Sequence, residues 1–189
     1  MDRMIRRNVL AFAILSTVLA YAAAAQAAVA PQIGGHFELT TTDGHDVTEQ
    51  DYRGKWLLVY FGYTYCPDVC PTVLNEMGTA LDELGPRAKH IQPIFISIDP
   101  TRDSQKVMAK YLKSFDPRIV GLRGDGDATE EAAKAFHVYY RARTVGHGEY
   151  VMDHSAFIYV LNPKGKFVQL LSADVPGHRL AEVLKKLVK

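Results

Sequence analysis

The apolar run Trp56-Leu57-Leu58-Val59-Tyr60-Phe61 passes through Gly62-Tyr63-Thr64-Tyr65 into Cys66-Pro67-Asp68-Val69-Cys70-Pro71. Beyond it Val73, Leu74, Met77, Leu81 and Leu84 recur at helical spacing until Gly85-Pro86. A short apolar run rich in aromatic and branched residues predicts a strand buried on both faces, and the spacing after it predicts a helix that stops at the Gly-Pro pair. A strand buried on both faces needs helices on both sides of its sheet. This β-loop-α unit therefore excludes all-helical folds and open antiparallel sheets.

The pattern recurs. Ile94-Phe95-Ile96-Ser97-Ile98 is followed by Asp99-Pro100 and by a helical face of Val107, Met108, Tyr111, Leu112 and Phe115. Ile119 to Leu122 and Val138 to Tyr140 are short strand candidates, and Asp127 with Glu130 predicts a capping box opening a helix through Phe136. Upstream, Phe37 to Thr40 alternates like a strand and Asp43-Gly44 signals a turn, so a hairpin opens the domain. Downstream, Thr144 to Glu149 reads as a loop and Tyr150 to Leu161 as one run containing Asp153-His154-Ser155. Asn162-Pro163-Lys164-Gly165 turns the chain into a hairpin strand from Phe167 to Leu171, and Leu180, Val183, Leu184, Leu187 and Val188 mark a closing helix. The expected fold is α/β and thioredoxin-like: a central mixed β-sheet flanked by α-helices, with an added N-terminal β-hairpin.

Residues 1–27 read as a signal peptide or N-terminal membrane anchor. Arg3, Arg6 and Arg7 precede an apolar stretch from Val9 to Ala25, and Ala25-Gln26-Ala27 matches a small-x-small cleavage signal. An uncleaved stretch of about 17 apolar residues sits at the lower limit for a membrane span, so both forms stay open. Arg6-Arg7 also fits, weakly, a twin-arginine signal. The expected location is the periplasm or the outer face of the cytoplasmic membrane, with membrane contact only through this segment. Residues 28–189 form one domain of ordinary size. The leader carries three arginines and one aspartate, so its removal takes the formal charge from +1 to −1. That balance argues against nucleic acid as a partner.

Cys66 and Cys70 are the only two cysteines in the chain. In an exported protein a lone pair is often a structural disulfide. A bridge across so few residues, however, closes a loop too small to stabilise much by chain entropy. At a strand-to-helix junction the pair is exposed at a sheet edge, and the helix N-terminus favours thiolate, the form that attacks disulfides and binds soft metals. The i, i+4 spacing lets both sulfurs project from one side of a helical turn, close enough to bridge or to share an ion.

The run from Phe61 to Pro71, together with Ser97-Ile98-Asp99-Pro100-Thr101-Arg102-Asp103 and Asp153-His154-Ser155, resembles the Sco/SenC proteins. These are thioredoxin-fold, copper-binding assembly proteins of cytochrome c oxidase. The resemblance implies copper, as Cu(I) or Cu(II), held by Cys66, Cys70 and His154. It also implies delivery to the CuA-bearing subunit of the oxidase, with another periplasmic copper chaperone or a thiol reductant as further partners. Donor chemistry agrees, because two thiolates and an imidazole suit copper, whereas structural zinc takes four ligands. Asp68 and Asp153 are second-tier candidates, placed in sequence to orient a ligand or tune its protonation. Tyr63 and Tyr65 are positioned to flank the site. His147, between two glycines, is a candidate for a transient copper site, while His36, His45, His90, His137 and His178 have no motif around them. Met152 is a soft donor by type but alternates like a strand residue.

Three other readings compete. Cys66 and Cys70 as a redox-active pair would make a thiol-disulfide oxidoreductase acting on the oxidase subunit or other exported proteins. A histidine where such enzymes place a proline weighs against this. A peroxidase of the peroxiredoxin type needs a single low-pKa cysteine in its own pocket, and the close pair disfavours it. An inactive structural disulfide is the third.

Overall fold

The computed structural model describes residues 33–146 and 148–188. Strand β3 (Trp56–Gly62) is an inner strand, next to the middle one, of a seven-stranded sheet ordered β2-β1-β5-β4-β3-β8-β9. It pairs in parallel with β4 (Ile91–Ser97), which pairs in parallel with β5 (Val120–Arg123). β1 (Glu38–Thr41) and β2 (Asp46–Thr48) form the predicted opening hairpin, and β1 closes antiparallel onto β5. On the other side β8 (Phe157–Leu161) runs antiparallel to β3, and β9 (Phe167–Ser172) completes the late hairpin through the turn at Asn162–Gly165. The sheet is mixed, as expected.

Among the described residues four α-helices accompany it: α1 (Val69–Leu84), α2 (Gln105–Leu112), α3 (Gly126–Ala135) and α4 (Gly177–Leu187). The pleat of β3 sorts the core. Tyr60 points to one face, where it stacks on Phe95 and reaches Cys70. Phe61 points to the other, where it meets Phe136 at the end of α3 and Tyr159 of β8. Both aromatic clusters are buried, and α1 and α4 pack against each other, with Leu74, Leu81, Leu180 and Leu184 among their buried residues. At about 25 cal/mol per Å² of apolar area, burial of such side chains is the main force holding the layers together.

Three local expectations are corrected. The cap of α3 is Asp125, whose side chain accepts from the Ala128 N–H, so Asp127 with Glu130 is not the capping pair. The stretch read as a loop from Thr144 to Glu149 belongs to a hairpin of β6 (Tyr140–Gly146) and β7 (Glu149–His154). The run from Tyr150 to Leu161 is split at Ser155-Ala156 between that hairpin and β8. The β6–β7 pair forms a two-stranded sheet separate from the main one. The leader read over residues 1–27 and His147 lie outside the described residues. Among the described residues no helix is long and apolar enough to cross a membrane.

Gly62, the last residue of β3, is where the sheet meets the cysteine loop. A Cβ placed there would come within 2.8 Å of both Cys70 Sγ and Phe95 Cε2. Neither neighbour is a free-swinging tip, since both residues are fully buried. Gly62→Ala is therefore expected to destabilise the fold by about 1–3 kcal/mol, as overpacking of a filled core does. Thermal or denaturant unfolding checks this, and an unchanged midpoint would show that the contact relaxes freely.

Candidate functional site

The β3–α1 loop places two sulfurs in different surroundings. Cys66 precedes the helix, is half-buried, and its sulfur accepts the Cys70 N–H at 3.4 Å. Cys70 lies in the first turn of α1 and is fully buried. Its Sγ is 3.6 Å from the Tyr60 hydroxyl and 4.0 Å from His154 Nε2. His154 ends β7 and stands edge-on to Tyr60 and Tyr63, at centroid distances of 6.2 and 6.1 Å. Residues more than eighty positions apart in sequence thus meet at one helix N-terminus.

The two thiols lose one proton readily and share the one that remains. Cys66 is drawn down to about 4, first by the hydrogen bond from the Cys70 thiol and further by the N–H groups of Cys70 and Asp68. Cys70 moves the opposite way, because its proton serves the Cys66 thiolate and because it is buried. Near neutrality the reduced pair is one thiolate and one thiol, a coupled unit that gives up its second proton only with difficulty.

His154 Nδ1 lies 3.0 Å from the Ser155 carbonyl oxygen. A carbonyl only accepts, so in the neutral ring Nδ1 carries the proton and Nε2 keeps its lone pair toward Cys70. A backbone carbonyl behind the ligating face is a common support for a metal-binding histidine. With metal–sulfur near 2.3 Å and metal–nitrogen near 2.0 Å, a shared ion holds S and N about 3.5–3.7 Å apart. The 4.0 Å observed lies a few tenths beyond that. Among the described residues no three His, Cys, Asp or Glu side chains are already gathered as a bound ion holds them. The donor set fits a soft ion after a small inward shift.

The two carboxylates singled out in the sequence sit in different surroundings. Asp153 is exposed and pairs with Arg143 across the hairpin at 2.8 Å, which holds its carboxyl below the usual range. Asp68 sits at the α1 N-cap without a side-chain cap bond, and it is its backbone N–H that reaches the Cys66 sulfur. Tyr63 is buried against His154, whereas Tyr65 is 56% exposed.

A polar network behind the loop is invisible to spacing arguments. Asp103 is fully buried and accepts from the Thr64 N–H at 3.1 Å, the Thr64 hydroxyl at 2.6 Å and the Ser97 hydroxyl at 2.6 Å. Burial pushes its carboxyl above the ordinary range while these donors pull it back. The bonds tie the residue two places before Cys66 to the end of β4. The only sequence signal for it is the Ser97–Asp103 stretch, noted for its resemblance and not for its chemistry.

One consequence concerns reactivity. Alkylation of the reduced protein by iodoacetamide should label Cys66 alone, at a rate nearly flat between about pH 5.5 and 8, because the thiolate is already formed. A rate rising about tenfold per pH unit toward 8.5, as an ordinary thiol gives, would contradict the shared-proton arrangement.

Comparison with known proteins finds clear relatives. The human mitochondrial SCO1 homolog is 43% identical over 141 residues, covering 73% of this chain and 47% of the human protein. Protein sco1 of Schizosaccharomyces pombe is 39% identical over 158 residues, 82% of this chain and 60% of that protein, so the chain spans about half the length of these relatives. Among solved structures, copper-bound ScoI of Bradyrhizobium japonicum superposes with a TM-score of 0.76 at 41% identity, covering 82% of this chain and 98% of that one. Copper-bound yeast Sco1 gives 0.76 at 36% identity, over 82% and 88%. The SCO1/SenC family model matches residues 25–189, and the chain belongs to that family.

Proposed function

We propose that this protein is an extracytoplasmic copper chaperone that takes copper as cargo on Cys66, Cys70 and His154 and passes it to the CuA-bearing subunit of cytochrome c oxidase. The observation that carries the reading is the convergence of a thiolate, a second sulfur and an imidazole lone pair at the start of α1. Copper in the matching ScoI and Sco1 structures supports it. The charge balance of the donors follows from the shared proton. Loading releases the proton held on Cys70, so two anionic sulfurs face the ion. Three ligands leave a coordination position through which a recipient's donor can attach before these release. Partial burial of Cys66 leaves one edge of the site accessible.

A second reading rests on the same thiolate. An activated, partly exposed Cys66 beside a protonated, buried Cys70 is the asymmetry that attack on a disulfide and resolution of the mixed disulfide require. The roles are compatible, because an oxidised pair cannot hold copper and its redox state would gate loading.

Copper titration of the reduced protein separates them. Wild type should bind one copper ion per chain. Cys66→Ala or Cys70→Ala should abolish tight binding, and His154→Ala should weaken it by about 100-fold or more while leaving thiol-disulfide exchange by the cysteine pair intact. Unchanged stoichiometry and affinity in the His154→Ala protein would refute the ligand assignment. If that variant also supports normal oxidase assembly, thiol exchange is the operative chemistry.

A further inference from the structure

We infer that Arg102 is a positioning residue that clamps the β6–β7 hairpin, and with it His154, against the cysteine loop; this rests on the ligand assignment proposed above.

The hairpin lies outside the main sheet, and a two-stranded sheet by itself is marginal in water. Something other than a backbone ladder must dock it. Arg102, in the loop between β4 and α2, touches both sides of the gap. Its guanidinium carbon lies 3.6 Å from the ring centroid of Tyr150 on β7, and 4.8 and 5.7 Å from those of Tyr65 and Tyr63 in the cysteine loop. Its Nη1 donates to the Tyr150 carbonyl at 2.9 Å and its Nε to Asp99 at 2.6 Å. Asp99, itself buried, accepts the Tyr150 hydroxyl at 2.9 Å, which closes the circuit.

The remaining nitrogen, Nη2, is shielded from solvent with no hydrogen-bond partner among the described residues. Aromatic faces are the compensation left for its burial, and a planar, weakly hydrated cation uses them better than an ammonium does. Tyr150 stands four residues before His154 on the same strand. Its anchoring fixes the strand that delivers the imidazole, while Tyr65 directly precedes Cys66. The clamp therefore sets the distance between the histidine and the sulfurs without touching cargo.

Its effect should divide the oxidation states of copper. Two thiolates suffice for Cu(I), whereas Cu(II) draws more on the imidazole. The test compares wild type, Arg102→Met and Arg102→Lys in the reduced full chain. Methionine keeps an unbranched apolar stem and removes charge and donors. Amide hydrogen exchange over residues 149–154 needs no copper and should speed up by about tenfold or more in Arg102→Met, with β3 unchanged. Cu(II) affinity, followed by sulfur-to-copper charge-transfer absorption, should fall about 10- to 100-fold, the range for a residue that orients a ligand, with Cu(I) affinity changed much less. Lysine should restore both readouts in part.

Unchanged exchange in the hairpin overturns the inference. So does faster exchange with an unaltered Cu(II) spectrum and affinity, or equal loss of both copper states together with faster exchange in β3, which marks general destabilisation. If wild type and His154→Ala bind copper alike, the ligand assignment fails first, and the exchange data then decide the clamp alone.

Discussion

The Cys70 sulfur is packed where four constraints meet. It lies against Gly62 at the end of β3, within reach of the Tyr60 hydroxyl, beside Cys66 and facing His154. Full burial removes the water that would otherwise stabilise a second thiolate, so the pair holds its last proton until something better arrives. A soft cation is something better, since it replaces the proton while neutralising both sulfurs. Glycine at position 62 is what lets the sulfur come so close to the sheet.

Around that point the site is built in two parts of different rigidity. The cysteines ride on α1 and on a loop pinned by Asp103 to the end of β4, inside the best-packed region of the chain. His154 arrives from a hairpin whose first strand, β6, is exposed along nearly its whole length. Gly146 and Gly148 near its tip take positive φ values, +112° and +79°, which side chains rarely adopt. A rigid sulfur pair and a more loosely docked imidazole suit an ion that must be held and then surrendered.

The sequence was readable where burial imposed a period. β3, β4, α1 and the late hairpin each carry an apolar pattern matching their geometry, and the two cysteines stand where such a strand becomes such a helix. β6 escaped because Tyr140-Arg141-Ala142-Arg143-Thr144-Val145-Gly146 has no buried face to enforce alternation. β7 was hidden by running almost directly into β8. The surroundings of the two candidate carboxylates have one common lesson. The groups that touch the Cys66 sulfur and the His154 ring here are the Ser155 carbonyl and the N–H groups of Asp68 and Cys70, and main-chain atoms leave no trace in residue type. Asp68 adjoins Cys66 through its main chain, while the Asp153 side chain pairs with Arg143.

Backbone support has a consequence for how the site tolerates change. A carboxylate behind His154 would add negative charge to an ion already facing two sulfurs, strengthening retention. A carbonyl fixes the same tautomer with a dipole only. Asp153 is instead drawn away to Arg143 on the solvent side of the hairpin, where its charge is screened. Under the proposed ligand assignment, this arrangement would set ligand geometry while limiting charge, with two anionic donors and one neutral one facing the ion. For the carrier role proposed above, that restraint on affinity would matter as much as the affinity itself.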